Sequence, residues 1–296
     1  MTVSVDDLTA KIDAGEPLSD EDIAALGSSR DIIMLGMLAT TVRHRLHGNG
    51  VTYVRVADLN LGPATELVPN TVPDAAGEVR IFQTPKTLDA AVAIVEKASD
   101  LAGGVPLSAF CLFELGKLPE GLPVVLSALR KAGLETVTQA PIDRLSAPER
   151  ALEALADAGL QLARLTVNDT PEREWTAVCR EVAALQTRLG AIRAFAPLAR
   201  TIDATQPTTG YEDVKRIAIS RVLIDNVETI QVDWALYGPK LAQVALTFGA
   251  DDLDSVSGAD DAPEGLRRAP IEEVRRNIVA AGLTPAERDG HFNLIA

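Results

Sequence analysis

One stretch of this chain decides the fold: residues 229–252 read TIQVDWALYGPKLAQVALTFGADD. The stretch predicts a β-strand over residues 229–234, followed by a Gly-Pro turn and a helix over residues 240–248. A short strand is predicted directly after it, at residues 252–256. Strand–helix–strand units of this kind are the building blocks of a parallel α/β sheet.

The same alternation of strand and helix runs through most of the chain. The predicted strands are residues 51–56, 79–82, 107–113, 136–139, 160–167, 191–196, 229–234 and 252–256. The predicted helices are residues 88–102, 122–132, 148–158, 171–189, 211–226 and 240–248. About eight such units close into a barrel, so the sequence predicts an α/β fold of the (β/α) TIM type.

Three segments depart from this repeat. Residues 1–50 predict a helical extension in which Ser19 caps a short helix and a longer helix starts near Asp31. Residues 60–78 contain three prolines and two glycines, so we expect no crossover helix between the first two strands. Residues 259–296 are expected to form a helical tail packed on the barrel, with a helix start at Thr284-Pro285-x-Glu287. The barrel domain itself is expected to span residues 51–258.

The composition limits the possible functions. The 296-residue chain has a net charge of −14 and a pI near 4.7, which argues against nucleic acid or an anionic membrane as a partner. Two distant cysteines do not form a disulfide framework, and the first residues lack the pattern of a signal peptide. No window is apolar enough to span a membrane. We therefore expect a soluble cytoplasmic protein.

Several motifs resemble one group of radical S-adenosylmethionine enzymes. They are GEPLS at 15–19, LGMLA at 35–39, VRHRLHG at 42–48, AFAPL at 194–198 and, most specifically, residues 238–253. The group comprises aminofutalosine synthase, dehypoxanthine futalosine cyclase and the deazaflavin-cofactor synthases, and the resemblance is strongest to aminofutalosine synthase. It implies a radical-type barrel and a role in menaquinone synthesis through futalosine.

The part of the family pattern that holds the cofactors is missing. The resemblance implies three cysteines, spaced CxxxCxxC after the first strand, that bind a four-iron cluster. This chain contains only Cys111 and Cys179, and the sequence after Asn60 is Leu-Gly-Pro-Ala. Gln83-Thr84-Pro85 stands where the family has a glycine-rich turn near the methionine part of the cofactor, and residues 139–143 replace a later glycine run. We therefore predict neither an iron–sulfur cluster nor bound S-adenosylmethionine.

Candidate ligand-binding residues come mainly from the resemblance. They are Asn60, Phe195, Trp234, Lys240, Gln243 and Asp252. The resemblance assigns the Asp252 carboxylate to a ribose hydroxyl, Lys240 and Gln243 share one helix face, and the two aromatic rings could stack on a base. Ordinary roles stay open for all of them: a solvated acidic loop, an exposed helix face and core packing.

The functional hypothesis follows from the prediction that this barrel does not hold a four-iron cluster. We expect a non-catalytic homologue that binds a futalosine-like nucleoside, or a partner subunit that forms a homodimer or a heterodimer with a cluster-bearing homologue. The alternative is an enzyme of non-radical acid/base chemistry, with Asp143, Asp251 and Asp252 as its catalytic candidates. A scaffold without a small-molecule ligand is a third possibility. No metal ligands, nucleic-acid partner or membrane contact are predicted.

Overall fold

A computed structural model of the protein describes residues 5–61, 67–68, 72–169, 174–201, 208–259 and 271–295. The strands are β1 Gly50–Asp58, β2 Asn60–Leu61, β3 Leu67–Val68, β4 Glu78–Ile81, β5 Leu107–Cys111, β6 Thr136–Pro141, β7 Gln161–Val167, β8 Ala194–Ala199, β9 Thr229–Asp233, β10 Asp252–Ser257 and β11 Thr284–Arg288. The helices are α1 Val5–Ala14, α2 Asp20–Ser28, α3 Ile32–His47, α4 Leu88–Ala102, α5 Leu112–Leu115, α6 Leu122–Lys131, α7 Pro148–Asp157, α8 Trp175–Leu189, α9 Gly210–Leu223, α10 Trp234–Leu246 and α11 Ile271–Ala280.

Eight parallel strands close into a barrel. They pair in the order β1, β4, β5, β6, β7, β8, β9 and β10, and β10 pairs with β1 to complete the ring. All eight strands predicted from the sequence are present within a few residues, so the predicted TIM-type barrel is confirmed. The predicted helix at residues 240–248 is the second part of a broken helix, since Gly238 has φ 74° and ψ 170° inside α10.

The connection between β1 and β4 differs from all others in the barrel. In its described part it forms a two-residue antiparallel ladder of β2 with β3, and no helix is present there. Only the end of β1, from Val56 to Asp58, pairs with β4. The earlier part of β1, from Gly50 to Val54, pairs with the C-terminal strand β11 instead.

The predicted helix start at Thr284 is therefore wrong, because Thr284–Arg288 is strand β11. The local pattern has the form of a helix cap, but the parallel pairing with β1 supplies backbone hydrogen bonds along the whole segment. Tertiary context of this kind regularly overrides local propensity. The expected helical tail thus consists of helix α11 followed by a barrel-side strand.

The helical layer buries an aliphatic core around the barrel. Leu35, Leu38 and Val42 of α3 are buried as their spacing predicts, and Ser19 forms a capping box with Asp22 at the start of α2. Val79 and Ile81 of β4 are also fully buried, although no crossover helix is present in the described part of the connection, and Phe82 directly after β4 is exposed. Within the described ranges, no helix combines the length and the apolar character that a membrane span requires.

Gly249 allows the close approach of helices α3 and α9 to the turn before β10. It has φ +98°, and a Cβ atom there would lie 2.8 Å from Cβ of Arg221 and 2.9 Å from Cβ of Ala39. Arg221 in turn binds the carboxylate of Asp251 beside this turn. A side chain introduced at position 249 would therefore push helices α3 and α9 away from the barrel, and it would also strain the backbone.

We predict that Gly249→Ala lowers the free energy of unfolding by about 3 kcal/mol, from positive-φ strain together with overpacking. Urea denaturation followed by circular dichroism measures the change. Gly190→Ala is the matched control, because Gly190 has φ +59° and no atom within 4 Å of the added Cβ. It is expected to lose only about 1 kcal/mol, and equal losses in the two variants would contradict the packing argument.

Candidate functional site

The interior of the barrel contains charged side chains. Glu78 and Arg80 come from β4, Arg164 from β7, Asp233 from β9 and Asp254 from β10, and all five are buried. Buried charges are tolerated only when they are paired and hydrogen-bonded. Glu78, Arg80, Arg164 and Asp254 bond to one another, and the hydroxyl of Ser255 links Asp233 to Arg80 and Asp254. We call the five charged residues the interior ion network.

Asp254 is the centre of the interior ion network. Arg80 donates from Nη2 to Oδ1 of Asp254 at 2.8 Å and from Nη1 to Oδ2 at 3.2 Å. Arg164 donates from Nη1 to the same Oδ2 atom. One carboxylate therefore neutralises guanidinium groups from two strands on opposite sides of the barrel.

Glu78 holds the second side of Arg80. Arg80 donates from Nη2 to Oε2 of Glu78 at 2.6 Å and from Nε to Oε1 at 2.9 Å, and Ser108 also donates to Oε1, at 2.5 Å. Burial alone would raise the pKa of Glu78, but the nearby Arg80 and Arg164 and the Ser108 hydroxyl lower it to about 2. Glu78 is therefore ionised throughout the neutral range.

A second ionic cluster lies nearer the N-terminal ends of the strands. Arg288 of β11 donates to both carboxylate oxygens of Asp252, at 2.6 and 2.9 Å. Thr52 and Gln231 donate to the same carboxylate at 2.6 and 2.8 Å. Burial opposes ionisation of Asp252, yet Arg288 and these donors hold its pKa below the ordinary value. The C-terminal strand is thereby tied to the barrel interior.

The C-terminal mouth of the barrel adds three polar residues to the interior ion network. Arg200 donates to Asp233 at 2.6 Å, and Ser255 donates to the same oxygen at 3.0 Å. Ser255 has φ 57°, a conformation that costs strain in a residue with a side chain and that often marks functional sites. Asp58 ends β1 here; its side chain is exposed and has no hydrogen-bond partner among the described residues.

The sequence-predicted ligand residues are spread over different environments. Asp252 is enclosed by the Arg288 cluster, Phe195 is fully buried with its ring stacked on Trp175 at 6.2 Å, and Trp234 is buried at the start of α10. Lys240 is exposed and Gln243 is half-buried on the same helix. For Asn60 only the backbone pairing with Val68 is described. The geometry does not bring these six side chains into one site, and their ligand roles stay predictions.

The three catalytic candidates have structural partners. Asp143 accepts hydrogen bonds from the backbone N–H groups of Asn168 and Asp169 at 2.7 and 2.9 Å. Asp251 is buried against Arg221, and burial raises its pKa despite that charge. Asp252 is paired with Arg288. Their catalytic roles also stay predictions.

Sequence reasoning missed the residues of the interior ion network. Arg80 and Arg164 stand inside the predicted strands at residues 79–82 and 160–167, whose other positions are mostly apolar, and Glu78 directly precedes the first of these strands. A charge within a buried strand is the one available signal, because such a side chain must find partners inside the protein. The identity of those partners depends on which strands are adjacent.

Comparisons with known proteins show what this chain is similar to. Residues 195–295 match the family model "CofH/MqnC C-terminal region". Aminodeoxyfutalosine synthase of Streptomyces coelicolor is 25% identical over 374 residues, which cover 98% of this chain and 93% of the relative. The enzyme of the same name from Thermus thermophilus is 33% identical over 125 residues, which cover 36% of this chain and 33% of the relative. The C-terminal third of the chain is therefore similar to the CofH/MqnC family, and one relative aligns along nearly the whole chain.

The fold agrees with that similarity. The crystal structure of methylornithine synthase superimposes with a TM-score of 0.67 at 15% identity and covers 94% of this chain and 97% of that one. The 374-residue alignment with the Streptomyces relative is much longer than the 296 residues of this chain. This CofH/MqnC homologue therefore lacks segments that its relative contains.

The residues of this chain do not fit the four-iron cluster that radical SAM chemistry requires. The whole chain contains two cysteines, fewer than the three thiolates that hold such a cluster. Cys179 is buried in α8 beside Ser220, where burial raises its thiol pKa to about 12, and burial also raises the pKa of Cys111 at the end of β5. Among the described residues, no three His, Cys, Asp or Glu side chains form a metal site.

We predict that Glu78→Gln lowers the free energy of unfolding by about 3 kcal/mol, because it leaves the buried Arg80 with one carboxylate instead of two. Thermal and urea unfolding measure the loss. Glu114→Gln is the matched control, since Glu114 forms an exposed pair with Lys117 at 2.8 Å, and it should cost less than about 1 kcal/mol.

The pH dependence gives a second measurement on the same pair of variants. The folded pKa of Glu78 is about 2 against an ordinary value of 4.5, so its ionisation stabilises the protein above pH 4.5 and loses this effect as the pH falls toward 2. Unfolding in this range therefore takes up a proton at Glu78. A wild-type stability profile with the same acid slope as Glu78→Gln would contradict this assignment.

Proposed function

We propose that this homologue binds a futalosine-like nucleoside at the C-terminal mouth of its barrel without performing radical chemistry. The observation that carries the proposal is the donor set: two cysteines in the whole sequence cannot provide three thiolate ligands. In the same barrel, Arg80, Arg164 and Asp254 bond to one another and are each about 1% exposed. Protein side chains thus occupy the interior directly below the mouth.

The choice of a nucleoside as the proposed ligand rests on the relatives of this chain. Proteins named aminodeoxyfutalosine synthase align with this chain, one of them along nearly its whole length. The family model covers residues 195–295, the last third of the chain, which contributes β8, β9 and β10 to the mouth. Ligands of TIM barrels bind at this face, between the strand ends and the loops that follow them. A retained C-terminal third combined with the lack of cluster cysteines favours binding over turnover.

A role as a partner subunit is compatible with the same chemistry. A cluster-free chain contributes to radical chemistry only through a second protein that holds the cluster, and a heterodimer with a cluster-bearing homologue meets this requirement. Co-purification from the native host identifies such a partner. A homodimer is the corresponding arrangement when no homologue is recovered.

We predict that aminodeoxyfutalosine or dehypoxanthine futalosine raises the melting temperature of the purified protein, while S-adenosylmethionine is not cleaved reductively. A ligand at a hundred times its dissociation constant stabilises the folded state by about 2.7 kcal/mol. Differential scanning fluorimetry measures the first effect. Chromatographic detection of 5′-deoxyadenosine, after anaerobic incubation with iron, sulfide and dithionite, measures the second.

The Streptomyces aminodeoxyfutalosine synthase, treated in parallel, is the control for reconstitution. Formation of 5′-deoxyadenosine by this chain would contradict the loss of radical chemistry. No melting shift with either nucleoside would contradict ligand binding and leave the scaffold hypothesis.

A second candidate function, acid/base chemistry on a nucleoside, is favoured by Asp58. Its exposed carboxylate lies at the C-terminal end of β1, inside the barrel mouth. Desolvation by the surrounding protein raises its pKa, whereas Arg80 acts in the opposite direction. A carboxylate that is open to solvent and has a raised pKa is a suitable general acid or base.

We predict that, if a nucleoside is turned over, Asp58→Asn lowers kcat at least about a hundredfold and leaves binding nearly unchanged, as expected for loss of a general acid or base. Product formation and calorimetric titration are measured on the same samples. Asp89→Asn, an exposed carboxylate in the first turn of α4, is the control and should retain full turnover. Full turnover by Asp58→Asn would eliminate this candidate.

A further inference from the structure

Arg164 has unused hydrogen-bond donors in the barrel interior. Its side chain is 1% exposed. Nη1 donates to Asp254 and makes a long contact of 3.5 Å with Oε1 of Gln231. Its Nε and Nη2 atoms are buried and have no partner among the described residues. These two atoms form the edge of the guanidinium that binds a carboxylate or phosphate with two parallel hydrogen bonds.

Two other buried polar groups that lack partners in the described structure lie close to Arg164 in strand register, on β6 and on β7. Gln139 on β6 is the register partner of Arg164 on β7, and its buried Oε1 atom has no donor in the described part of the chain. Thr166 lies two residues beyond Arg164, on the same face of β7, and its buried Oγ1 atom is also unpartnered there. Unmet hydrogen bonds at three neighbouring buried groups are rare in folded proteins.

The charges around Arg164 are paired with one another, and the free edge of Arg164 is left without an acceptor among the residues that the structure describes. Arg164 shares Asp254 with Arg80, and the positive charges of Arg80 and Arg200 act on it. Glu78 and Asp233 oppose this effect, but Glu78 is bound by Arg80 and Asp233 by Arg200. Desolvation and these neighbouring cations lower the pKa of Arg164. An oxyanion on the free edge would accept from the two donors of Arg164 that Asp254 does not reach.

We propose that the Nε–Nη2 edge of Arg164, with Thr166 and Gln139, forms a subsite for a ligand oxyanion. The ligand class is a small molecule that carries a carboxylate or phosphate next to a hydroxyl or amine. The oxyanion accepts from Arg164 and from the Thr166 hydroxyl, and the neighbouring hydroxyl or amine donates to Oε1 of Gln139. This set of donors and acceptor satisfies all three groups at once.

Access to the subsite runs along the β5–β6 side of the barrel. Cys111, Gln139 and Arg164 are neighbours in register across β5, β6 and β7. Cys111 and Gln139 are both partly exposed, while Arg164 is buried. Gln139 is therefore the more solvent-accessible of the two register partners.

This inference deepens the proposed function, because it assigns a chemical class to part of the ligand in the barrel, and it rests on ligand binding there. Its test uses small oxyanions in place of nucleosides. Oxyanion binding without nucleoside binding would refute the proposed function and keep the subsite. Nucleoside binding that does not depend on Arg164 would refute the subsite and keep the proposed function.

The experiment is calorimetric titration of the intact protein with lactate, acetate and inorganic phosphate. Lactate should bind more tightly than acetate, because only lactate has a hydroxyl for Gln139. Phosphate binding tighter than lactate would indicate a phosphate-bearing ligand, and the reverse order a carboxylate. Arg164→Met should weaken the preferred anion at least about tenfold, as expected for loss of a charge-assisted bidentate contact.

Two further variants separate the subsite from a folding defect. Arg164→Lys keeps the charge but loses the bidentate edge, and Thr166→Val keeps the shape but loses the hydroxyl; both should weaken binding at unchanged circular dichroism. Arg188→Met, which removes a surface arginine paired with Glu149, is the control and should bind like wild type. Absence of oxyanion binding in the wild type, or equal affinity in wild type and Arg164→Met, would overturn the proposal.

Discussion

The shared carboxylate of Asp254 is the constraint on which the barrel interior depends. It accepts hydrogen bonds from Arg80 and from Arg164, which lie on different sides of the ring of strands. A buried ion pair adds little net stability, since desolvation of both charges offsets their attraction. Removing one member is costly, however, because the other charge remains buried. The network therefore favours one arrangement of β4, β7 and β10 over its alternatives.

The C-terminal strand β11 is the second feature that completes this barrel. Strand β11 pairs with the first half of β1, which would otherwise present unpaired backbone groups next to the irregular β1–β4 connection. Arg288 of the same strand reaches into the barrel and binds both oxygens of Asp252. The segment thus satisfies backbone groups at a sheet edge and neutralises an interior carboxylate. Loss of a crossover helix is compatible with a closed core for this reason.

The features of this CofH/MqnC homologue divide into two groups along the chain. The family model matches residues 195–295, which supply β8 to β11 and the carboxylates Asp233, Asp252 and Asp254. The charges that fill the interior from the other side, Glu78, Arg80 and Arg164, come from strands outside that match. The chemistry of the mouth is accordingly that of buried ion pairs and of one free guanidinium edge. This combination suits recognition of a polar, anionic ligand.

The sequence alone determined the eight strands, the helices between them and the absence of three cluster cysteines. These features depend on hydrophobic period, turn residues and composition, which act over a few residues at a time. It also indicated the interrupted connection after β1, since prolines exclude a helix locally. The fold class followed from the number and order of the units.

Only the tertiary structure decided which charges meet. Glu78, Arg80, Arg164 and Asp254 are far apart in the chain and become neighbours through barrel closure, which no local pattern encodes. The same holds for Thr284–Arg288, whose helix-cap pattern yields to pairing with β1. Asp252 was a candidate from sequence, but its Arg288 partner became visible only in the fold. Long-range pairing outweighs local preference here because buried charges and edge backbone groups require partners, and the only partners available lie on other strands.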